Sequence, residues 1–190
     1  MGKIKKILFI VLPSIELNQK FVSVAEVSSV RITPPLGLCY LGSLLREKGF
    51  EVEIFDPHIE CYEECKENQI VEVLKEKIVN KIKTSPCDLL GISAPYIYTY
   101  KWAHYVAKIA KDRKREIPVV IGGGYPSMLT NDVLKDENIN YAIIGEGEIS
   151  FCKLLDYLNS KDECDLNKID EIGYSSNGSF KVSSKRTYVE

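Results

Sequence analysis

Two glycine-rich segments follow apolar runs that are typical of buried strands. Residues 122–124 are Gly-Gly-Gly and come directly after the run at 117–121, and residues 145–148 are Gly-Glu-Gly-Glu and close the run at 141–144. Because glycine adds no side chain and leaves its amide free, a flat or chain-like ligand can lie directly on the main chain there. Three successive glycines are equally typical of a tight turn from strand to helix, and both interpretations stay open.

The carboxylates of the second segment suit either a helix cap or a contact with a ligand. Glu146 and Glu148 stand where a helix is predicted to begin, and the helix dipole favours negative charge at that end. A carboxylate in this place can also accept a hydrogen bond from an amide or hydroxyl group of a ligand. The pattern alone does not separate these two roles.

Several familiar motifs are absent. No Gly-x-x-x-x-Gly-Lys-Ser/Thr loop occurs, and no Gly-x-Gly-x-x-Gly follows the first strand, which disfavours nucleotide cofactors. Three soft metal ligands, His58, Cys61 and Cys65, fall within one stretch and could bind zinc. A closed zinc site needs a fourth ligand, so we interpret the stretch as a loop and helix edge and predict neither a metal site nor a catalytic residue in this chain.

Length and composition indicate a globular protein without an obvious polyanionic partner. At about 150 residues per domain, 190 residues make one domain with an extension. The net charge of −2 and the lack of a long basic stripe argue against nucleic acid. No apolar run approaches the roughly 18 residues needed to span a bilayer, and the six scattered cysteines do not resemble a disulfide framework. We therefore expect a cytoplasmic protein with reduced thiols and no membrane contact.

The elements that must position these residues alternate regularly between strand and helix. Each of five apolar runs is followed by a helical pattern of apolar residues. Such alternation predicts an α/β fold with a flavodoxin-like, doubly wound parallel sheet of five strands in the order 2-1-3-4-5. The predicted strands lie near residues 7–12, 51–56, 88–94, 117–121 and 141–144.

A hairpin is predicted after this unit. Short alternations of apolar and polar residues flank Asn177-Gly178, which is a strong turn signal. We therefore divide the chain into an α/β domain at 1–166 and a hairpin and linker at 167–190. The linker is expected to lead toward a further, catalytic domain.

Four motifs in this order resemble one known family. Pro-Pro-Leu-Gly-Leu at 34–38, Gly-Ile-Ser-Ala at 91–94, Val-Ile-Gly-Gly-Gly at 120–124 and Ile-Gly-Glu-Gly-Glu at 144–148 resemble the N-terminal cobalamin-binding domain of cobalamin-dependent radical SAM enzymes. The resemblance covers nearly the whole chain and includes the hairpin. It implies that the nucleotide tail of cobalamin enters a groove at the carboxyl end of the sheet, while the corrin faces a catalytic domain.

Carried over by position, the resemblance implies a set of cofactor-binding residues at the ends of the strands. Ser93 would touch the tail, the three glycines would let it pass, and the Gly-Glu-Gly-Glu segment would close its pocket, which suits a channel lined by small residues. The predicted cofactor-binding residues are Pro34, Pro35, Ser93, Ala94, Pro95, Thr99, Gly122, Gly123, Gly124, Tyr125, Gly145, Glu146, Gly147 and Glu148.

One departure from related families concerns the cobalt ligand. Cobalamin methyltransferases and mutases carry Asp-x-His-x-x-Gly after the first strand, and no histidine lies between Leu12 and Gly49 here. His58 follows the second strand and only imitates the start of that motif, and His104 falls in a helix pattern. The resemblance therefore implies cobalamin bound base-off without a histidine, its lower face covered by the segment at 13–35.

A second departure concerns the iron-sulfur cluster. Radical SAM chemistry needs Cys-x-x-x-Cys-x-x-Cys, and residue 68, where the third cysteine would stand after Cys61 and Cys65, is Asn68. S-adenosylmethionine and the cluster are therefore expected only in a C-terminal radical SAM domain, with methyl transfer as the reaction. The alternative is a flavodoxin-like interaction or small-ligand module that no longer binds cobalamin.

Overall fold

The computed structural model describes residues 3–18, 34–61, 69–160, 165–176 and 179–183, with only the backbone of Cys61. In these ranges one sheet of seven strands runs in the order β2-β1-β3-β4-β5-β6-β7. The strands are β1 (Lys6–Val11), β2 (Glu51–Phe55), β3 (Leu89–Ser93), β4 (Val119–Gly122), β5 (Tyr141–Ile143), β6 (Ile172–Ser176) and β7 (Ser179–Val182).

Helices connect the parallel strands and cover both faces of the sheet. They are α1 (Leu36–Glu47), α2 (Pro57–Cys61), α3 (Ile70–Thr84), α4 (Tyr100–Arg113), α5 (Gly124–Met128), α6 (Thr130–Val133) and α7 (Glu148–Asn159), with 3-10 turns at Ile97–Thr99 and Leu166–Lys168. Within the described ranges, no helix combines the length and the apolar character needed to cross a membrane.

The predicted topology is confirmed. β1 pairs in parallel with β2 and β3, and β4 pairs in parallel with β3 and β5, which is the order 2-1-3-4-5. The hairpin is also confirmed, and it extends the same sheet, because β6 pairs antiparallel with β5 and β7 with β6. Its predicted turn residues, Asn177 and Gly178, lie outside the described residues.

The apolar run of β1 explains why helices cover both sides of the sheet. Side chains alternate between the two faces of a strand, so Ile7 and Phe9 join one buried cluster and Leu8 and Ile10 join the other. The first cluster lies under α1 and α7, and the second lies under α3 and α4. β2 is half polar (Glu51 and Glu53 are exposed) and takes the edge position, as its alternation predicts.

Candidate functional site

A cavity of about 300 Å³ opens at the carboxyl ends of β3, β4 and β5, on the face of the sheet covered by α1 and α7. Strand register divides its lining into two levels. At the strand ends, Ser93 of β3 pairs with Gly122 of β4. Two residues earlier in β3, Gly91 pairs with Phe9 of β1 and with Val120 of β4. At about 3.3 Å per residue, the cavity reaches roughly 7 Å into the body of the domain.

The cavity is lined by apolar side chains and by glycine backbone, with few polar side chains. Six glycines contribute, which keeps the passage wide and leaves main-chain groups accessible. The apolar side chains come from the inner strands and from both covering helices. The lining residues are Phe9, Gly37, Leu38, Leu41, Gly91, Ile92, Ser93, Val120, Gly122, Gly123, Ile143, Gly145, Glu146, Gly147, Glu148 and Phe151.

The three glycines at 122–124 serve different purposes. A Cβ on Gly123 would lie 2.6 Å from the Ala94 carbonyl oxygen, and one on Gly124 would lie 2.4 Å from that of Pro95. These two glycines therefore let the loops after β3 and β4 pack together, and Gly123 also has a φ of 110°. A Cβ on Gly122 would meet only Ile143, at 3.9 Å. Gly122 is thus the glycine whose missing side chain leaves room for a ligand.

The loop after β5 is tied to the loop after β4 through one serine. The Ser127 hydroxyl donates to the Gly123 carbonyl oxygen at 2.7 Å and accepts from the Gly145 amide at 2.9 Å. Gly145 has a φ of 71°, a conformation that side chains rarely adopt. These two hydrogen bonds connect the loops at the mouth of the cavity. No motif in the sequence indicated this role for Ser127.

Glu148 is the first residue of α7, and one of its oxygens is isolated. Its Oε2 is buried and is the only buried side-chain polar atom, among the residues that the structure describes, without a hydrogen-bond partner. Glu146, the other carboxylate of this segment, is exposed. The carboxylates of Glu146 and Glu148 therefore differ in environment, although the sequence pattern gave no reason to distinguish them.

Seven of the predicted residues line the cavity, and the other seven do not. The carbonyl oxygens of Ala94 and Pro95 pack against Gly123 and Gly124. The Thr99 hydroxyl is buried and donates a hydrogen bond to the Tyr96 carbonyl oxygen at 2.6 Å. These contacts are structural, and a direct role in cofactor binding stays a prediction for this group. The predicted residues outside the lining are Pro34, Pro35, Ala94, Pro95, Thr99, Gly124 and Tyr125.

Tyr125 lies in a polar network with His104 and Asp136. His104 Nε2 lies 3.1 Å from the Tyr125 hydroxyl, and His104 Nδ1 lies 2.6 Å from Asp136 Oδ2. Burial raises the pKa of Tyr125. Burial alone would raise the pKa of Asp136, but hydrogen bonds from His104 and Asn138 lower it overall. The network joins α4, α5 and the loop before β5. It accounts for the position of the Tyr125 hydroxyl without a contact to a ligand.

His58 faces the loop after β1. Its Nε2 accepts a hydrogen bond from the Ser14 amide at 3.1 Å, and burial lowers its pKa although the Asp56 carboxylate opposes this. For the zinc hypothesis, Cys65 and the side chain of Cys61 lie outside the described residues. Among those described, no group of three His, Cys, Asp or Glu residues is placed to hold a metal ion.

Sequence reasoning missed the inner part of the cavity. Phe9, Gly91 and Phe151 line the cavity but are not among the predicted site residues, although Gly91 begins the Gly-Ile-Ser-Ala motif. Gly37 and Leu38 belong to the Pro-Pro-Leu-Gly-Leu motif, but only its prolines were assigned to the site. Alternation offered a signal, because residues two positions before a strand end share the face of the end residue.

Comparison with known proteins gives a family. The family model "B12 binding domain" matches residues 22–155. A cytidylyl-2-hydroxyethylphosphonate methyltransferase of Streptomyces wedmorensis is 30% identical over 135 residues, covering 68% of this chain and 25% of its own length. An uncharacterized methyltransferase of Pyrococcus horikoshii is 30% identical over 189 residues, covering 99% of this chain and 36% of its own length. The chain thus spans about a quarter to a third of these relatives.

Solved structures share the fold. The cobalamin-dependent S-adenosylmethionine radical enzyme OxsB, with aqua-cobalamin and S-adenosylmethionine bound, has a TM-score of 0.72 at 18% identity, over 98% of this chain and 23% of its own. The radical S-adenosylmethionine methyltransferase TsrM from Kitasatospora setae, with cobalamin and a [4Fe-4S] cluster bound, has a TM-score of 0.67 at 16% identity, over 97% of this chain and 31% of its own. Since the family model matches well over half of the residues, this chain belongs to the B12-binding domain family.

Proposed function

We propose that this chain binds cobalamin with the nucleotide tail in the cavity, base-off and without a histidine below the cobalt, as part of a radical SAM enzyme that transfers methyl groups. The observation that carries the proposal is the glycine-lined cavity at the carboxyl ends of β3, β4 and β5. In open parallel sheets, ligands bind at this end of the strands.

The lining of the cavity suits the nucleotide tail of cobalamin, which ends in a flat aromatic base joined to a ribose. At the inner end, Phe9 and Phe151 have ring centroids 5.4 Å apart and offer an aromatic floor for such a base. Near the mouth, Ser93 and glycine main chain provide polar groups for the ribose and phosphate. A base held here is separated from the cobalt, and this supports base-off binding.

Both histidines of the sequence are engaged by the protein. The accepting nitrogen of His58 is occupied by the Ser14 amide, and the two ring nitrogens of His104 face Asp136 and Tyr125. A nitrogen whose lone pair accepts a hydrogen bond does not ligate a metal at the same time. These contacts support a cobalt site without histidine. Of the segment at 13–35, which is predicted to cover the lower face, residues 19–33 lie outside the described residues.

Exposed apolar side chains support a covering partner at the same end of the sheet. Of eleven exposed large hydrophobic residues in the described ranges, nine lie in segments that follow the carboxyl ends of strands, and the other two lie in the hairpin. Such concentrations mark surfaces that bind a ligand or another domain. The nine are Leu36, Tyr40, Ile59, Tyr96, Ile97, Tyr98, Tyr100, Met128 and Leu129.

The reaction itself belongs to the proposal. Cobalamin supplies a cobalt centre that can carry a methyl group, and the names of the relatives and solved structures connect this fold with methyl transfer and radical SAM chemistry. S-adenosylmethionine and an iron-sulfur cluster would bind in a C-terminal domain outside this chain. The division at residue 166 and a cytoplasmic location remain parts of the same proposal.

The test compares two corrinoids that differ in the tail. The protein is titrated with hydroxocobalamin and with cobinamide, which lacks the nucleotide, and the complexes are followed by absorbance and gel filtration. We expect cobalamin to co-elute with a base-off spectrum and to bind more tightly than cobinamide. Equal affinities for the two would show that the tail is not used, and no co-elution of cobalamin would contradict the proposal as a whole.

A further inference from the structure

β7 forms one edge of the sheet, and its outer side pairs with no strand in the described ranges. The Ser183 amide donates to the Ile172 carbonyl oxygen at 2.8 Å, which fixes the hydrogen-bonding pattern between β6 and β7. In an antiparallel pair, successive residues alternate between main-chain groups that point to the partner strand and groups that point away from it. Ser183 and Lys181 therefore bond to β6, whereas the N–H and C=O groups of Phe180 and Val182 point outward.

The side chains of the same two residues form an apolar strip beside these main-chain groups. Phe180 is 42% exposed and Val182 is 43% exposed, and the register places them opposite Ser175 and Gly173, on the same face of the sheet. At Gly173 this face is covered by Thr130 of α6, and the cover does not extend over β7. The edge thus offers both the main-chain groups and the apolar contacts that an added strand uses.

The opposite edge of the sheet is built differently. β2 exposes Glu51 and Glu53, and each carboxylate pairs with a lysine. Charged residues on an edge strand discourage pairing with another strand. The charged residue of β7, Lys181, is on the other face from the apolar strip, and its ammonium group lies 6.0 Å from the ring centroid of Tyr174 on β6. The charge is therefore held back from the outer edge of β7.

We propose that β7 pairs with an eighth strand, which comes from the domain that follows this chain and carries apolar residues opposite Phe180 and Val182. The inference rests on the proposed function, which places a radical SAM domain after the hairpin. In that arrangement residues 183–190 connect β7 to the domain. A segment tethered by a short linker reaches its site at an effective concentration on the order of millimolar, which favours it over separate molecules.

A second copy of this chain fits the edge less well. Two antiparallel β7 strands match Phe180 of one copy with Val182 of the other only if the two Lys181 residues stand opposite each other. Like charges directly opposite in a sheet are destabilising. β7 spans four residues, so this pairing would also bury much less than the roughly 1,200 Å² of a stable interface. The following domain is therefore the better source of the strand.

The test measures hydrogen–deuterium exchange of single amides in the 190-residue chain and in the same chain joined to its C-terminal domain. We expect the amides of Phe180 and Val182 to exchange at least about tenfold more slowly in the longer protein, because only there does a strand accept their hydrogen bonds. Lys181 is the matched control, since its amide already bonds to β6 and should exchange alike in both proteins. Equal rates for Phe180 and Val182 in the two proteins would overturn the inference.

Val182→Pro tests the edge by a second route. Proline removes the outward N–H group, and edge strands tolerate proline where the N–H faces solvent, so the 190-residue chain should unfold at nearly the temperature of the parent. In the longer protein the variant should lose the slow exchange of Phe180, and retention of that slow exchange would contradict the inference. Lys181→Pro is the control, because it removes a donor to β6 and should lower the unfolding temperature of both proteins.

The remaining outcomes separate the occupants and the two proposals. Slow exchange of Phe180 and Val182 in the 190-residue chain that disappears on dilution would assign the edge to a second copy, and it would overturn the inference. Failure of the proposed function would appear in the corrinoid titration, because exchange at β7 is measured without corrinoid. A longer protein that binds cobalamin but exchanges both amides rapidly would refute the eighth strand alone.

Discussion

The ring of Phe9 lies directly against Gly91, its neighbour on the adjacent strand. The two residues are in register between β1 and β3, and a Cβ on Gly91 would stand 2.3 Å from Phe9 Cδ1. Phe9 can occupy this position only because Gly91 has no side chain. The missing Cβ thus leaves room for the Phe9 ring, which forms the aromatic floor of the cavity together with Phe151.

Gly91→Ala should destabilise the protein by about 1–3 kcal/mol, because the added methyl group forces the Phe9 ring out of a packed position. Urea unfolding measures the difference. The control is Gly37→Ala, also in the lining, where a Cβ would meet nothing within 4 Å; in a helix this change is neutral or stabilises by up to about 1 kcal/mol. A Gly91→Ala protein as stable as the parent would contradict the packing described.

Gly122→Leu should leave folding intact and impair cofactor binding. Its side chain would enter the mouth of the cavity, where only Ile143 is near. Overpacking of about 1–3 kcal/mol corresponds to roughly 5- to 150-fold weaker cobalamin binding. Spectral titration and thermal unfolding measure the two effects. Unchanged affinity for cobalamin would place the tail elsewhere.

The neighbouring glycine provides a contrasting variant. Gly123→Ala would bring its Cβ to 2.6 Å from the Ala94 carbonyl oxygen at a φ of 110°, so we expect it to lower the unfolding temperature whether or not cobalamin is present. A Gly123→Ala protein that unfolds at the temperature of the parent would show that the loops after β3 and β4 can move apart without a loss of stability.

His58 should make the protein less stable at mildly acidic pH. Because burial lowers the folded-state pKa of His58 below its ordinary 6.5, the unfolded state binds a proton first as the pH falls. Its contribution to stability is therefore complete above pH 6.5, falls as the pH drops from there to the folded-state pKa, and changes no further below it. Urea unfolding at pH 7.5 and 5.5 should show a smaller pH effect in His58→Gln, and an equal effect would exclude His58 as the cause.

Asp136→Ala should cost about 1–3 kcal/mol, since it removes a largely buried acceptor from His104 and Asn138. Only 14% of the Asp136 side chain is exposed, whereas Asp132, which pairs with Lys135, is 55% exposed. Asp132→Ala is therefore the control and should change the free energy of unfolding by less than about 1 kcal/mol. Equal effects in urea unfolding would mean that the network with Tyr125 does not stabilise the fold.

The strand order and the mouth of the cavity were predictable because they depend on local patterns. Buried apolar runs separated by helical patterns indicate a parallel sheet, and residues after its strands converge at one edge. This reasoning identified Ser93, Gly122 and Glu148. The helix predicted after β4 is present as two short helices, α5 and α6, and not as one continuous helix.

The contact between Phe9 and Gly91 was not predictable, because it depends on the register between segments far apart in the chain. Phe9 and Gly91 are separated by the whole of α1, β2 and α3, and nothing local shows that they are neighbours. The same is true of Gly123 and Ala94, whose contact makes Gly123 a packing residue. Tyr125 was assigned to the cofactor because it follows the glycines, but its hydroxyl group faces His104.

The most direct test of the account is electron paramagnetic resonance of cob(II)alamin bound to the protein. An axial nitrogen ligand splits each cobalt hyperfine line into a triplet, whereas cobalt without such a ligand shows unsplit lines. The account predicts a bound, base-off species with no triplet splitting, because it proposes that the base lies in the cavity and that neither histidine ligates the cobalt. A bound species with nitrogen splitting, from the cofactor's own base or from His58, would contradict it.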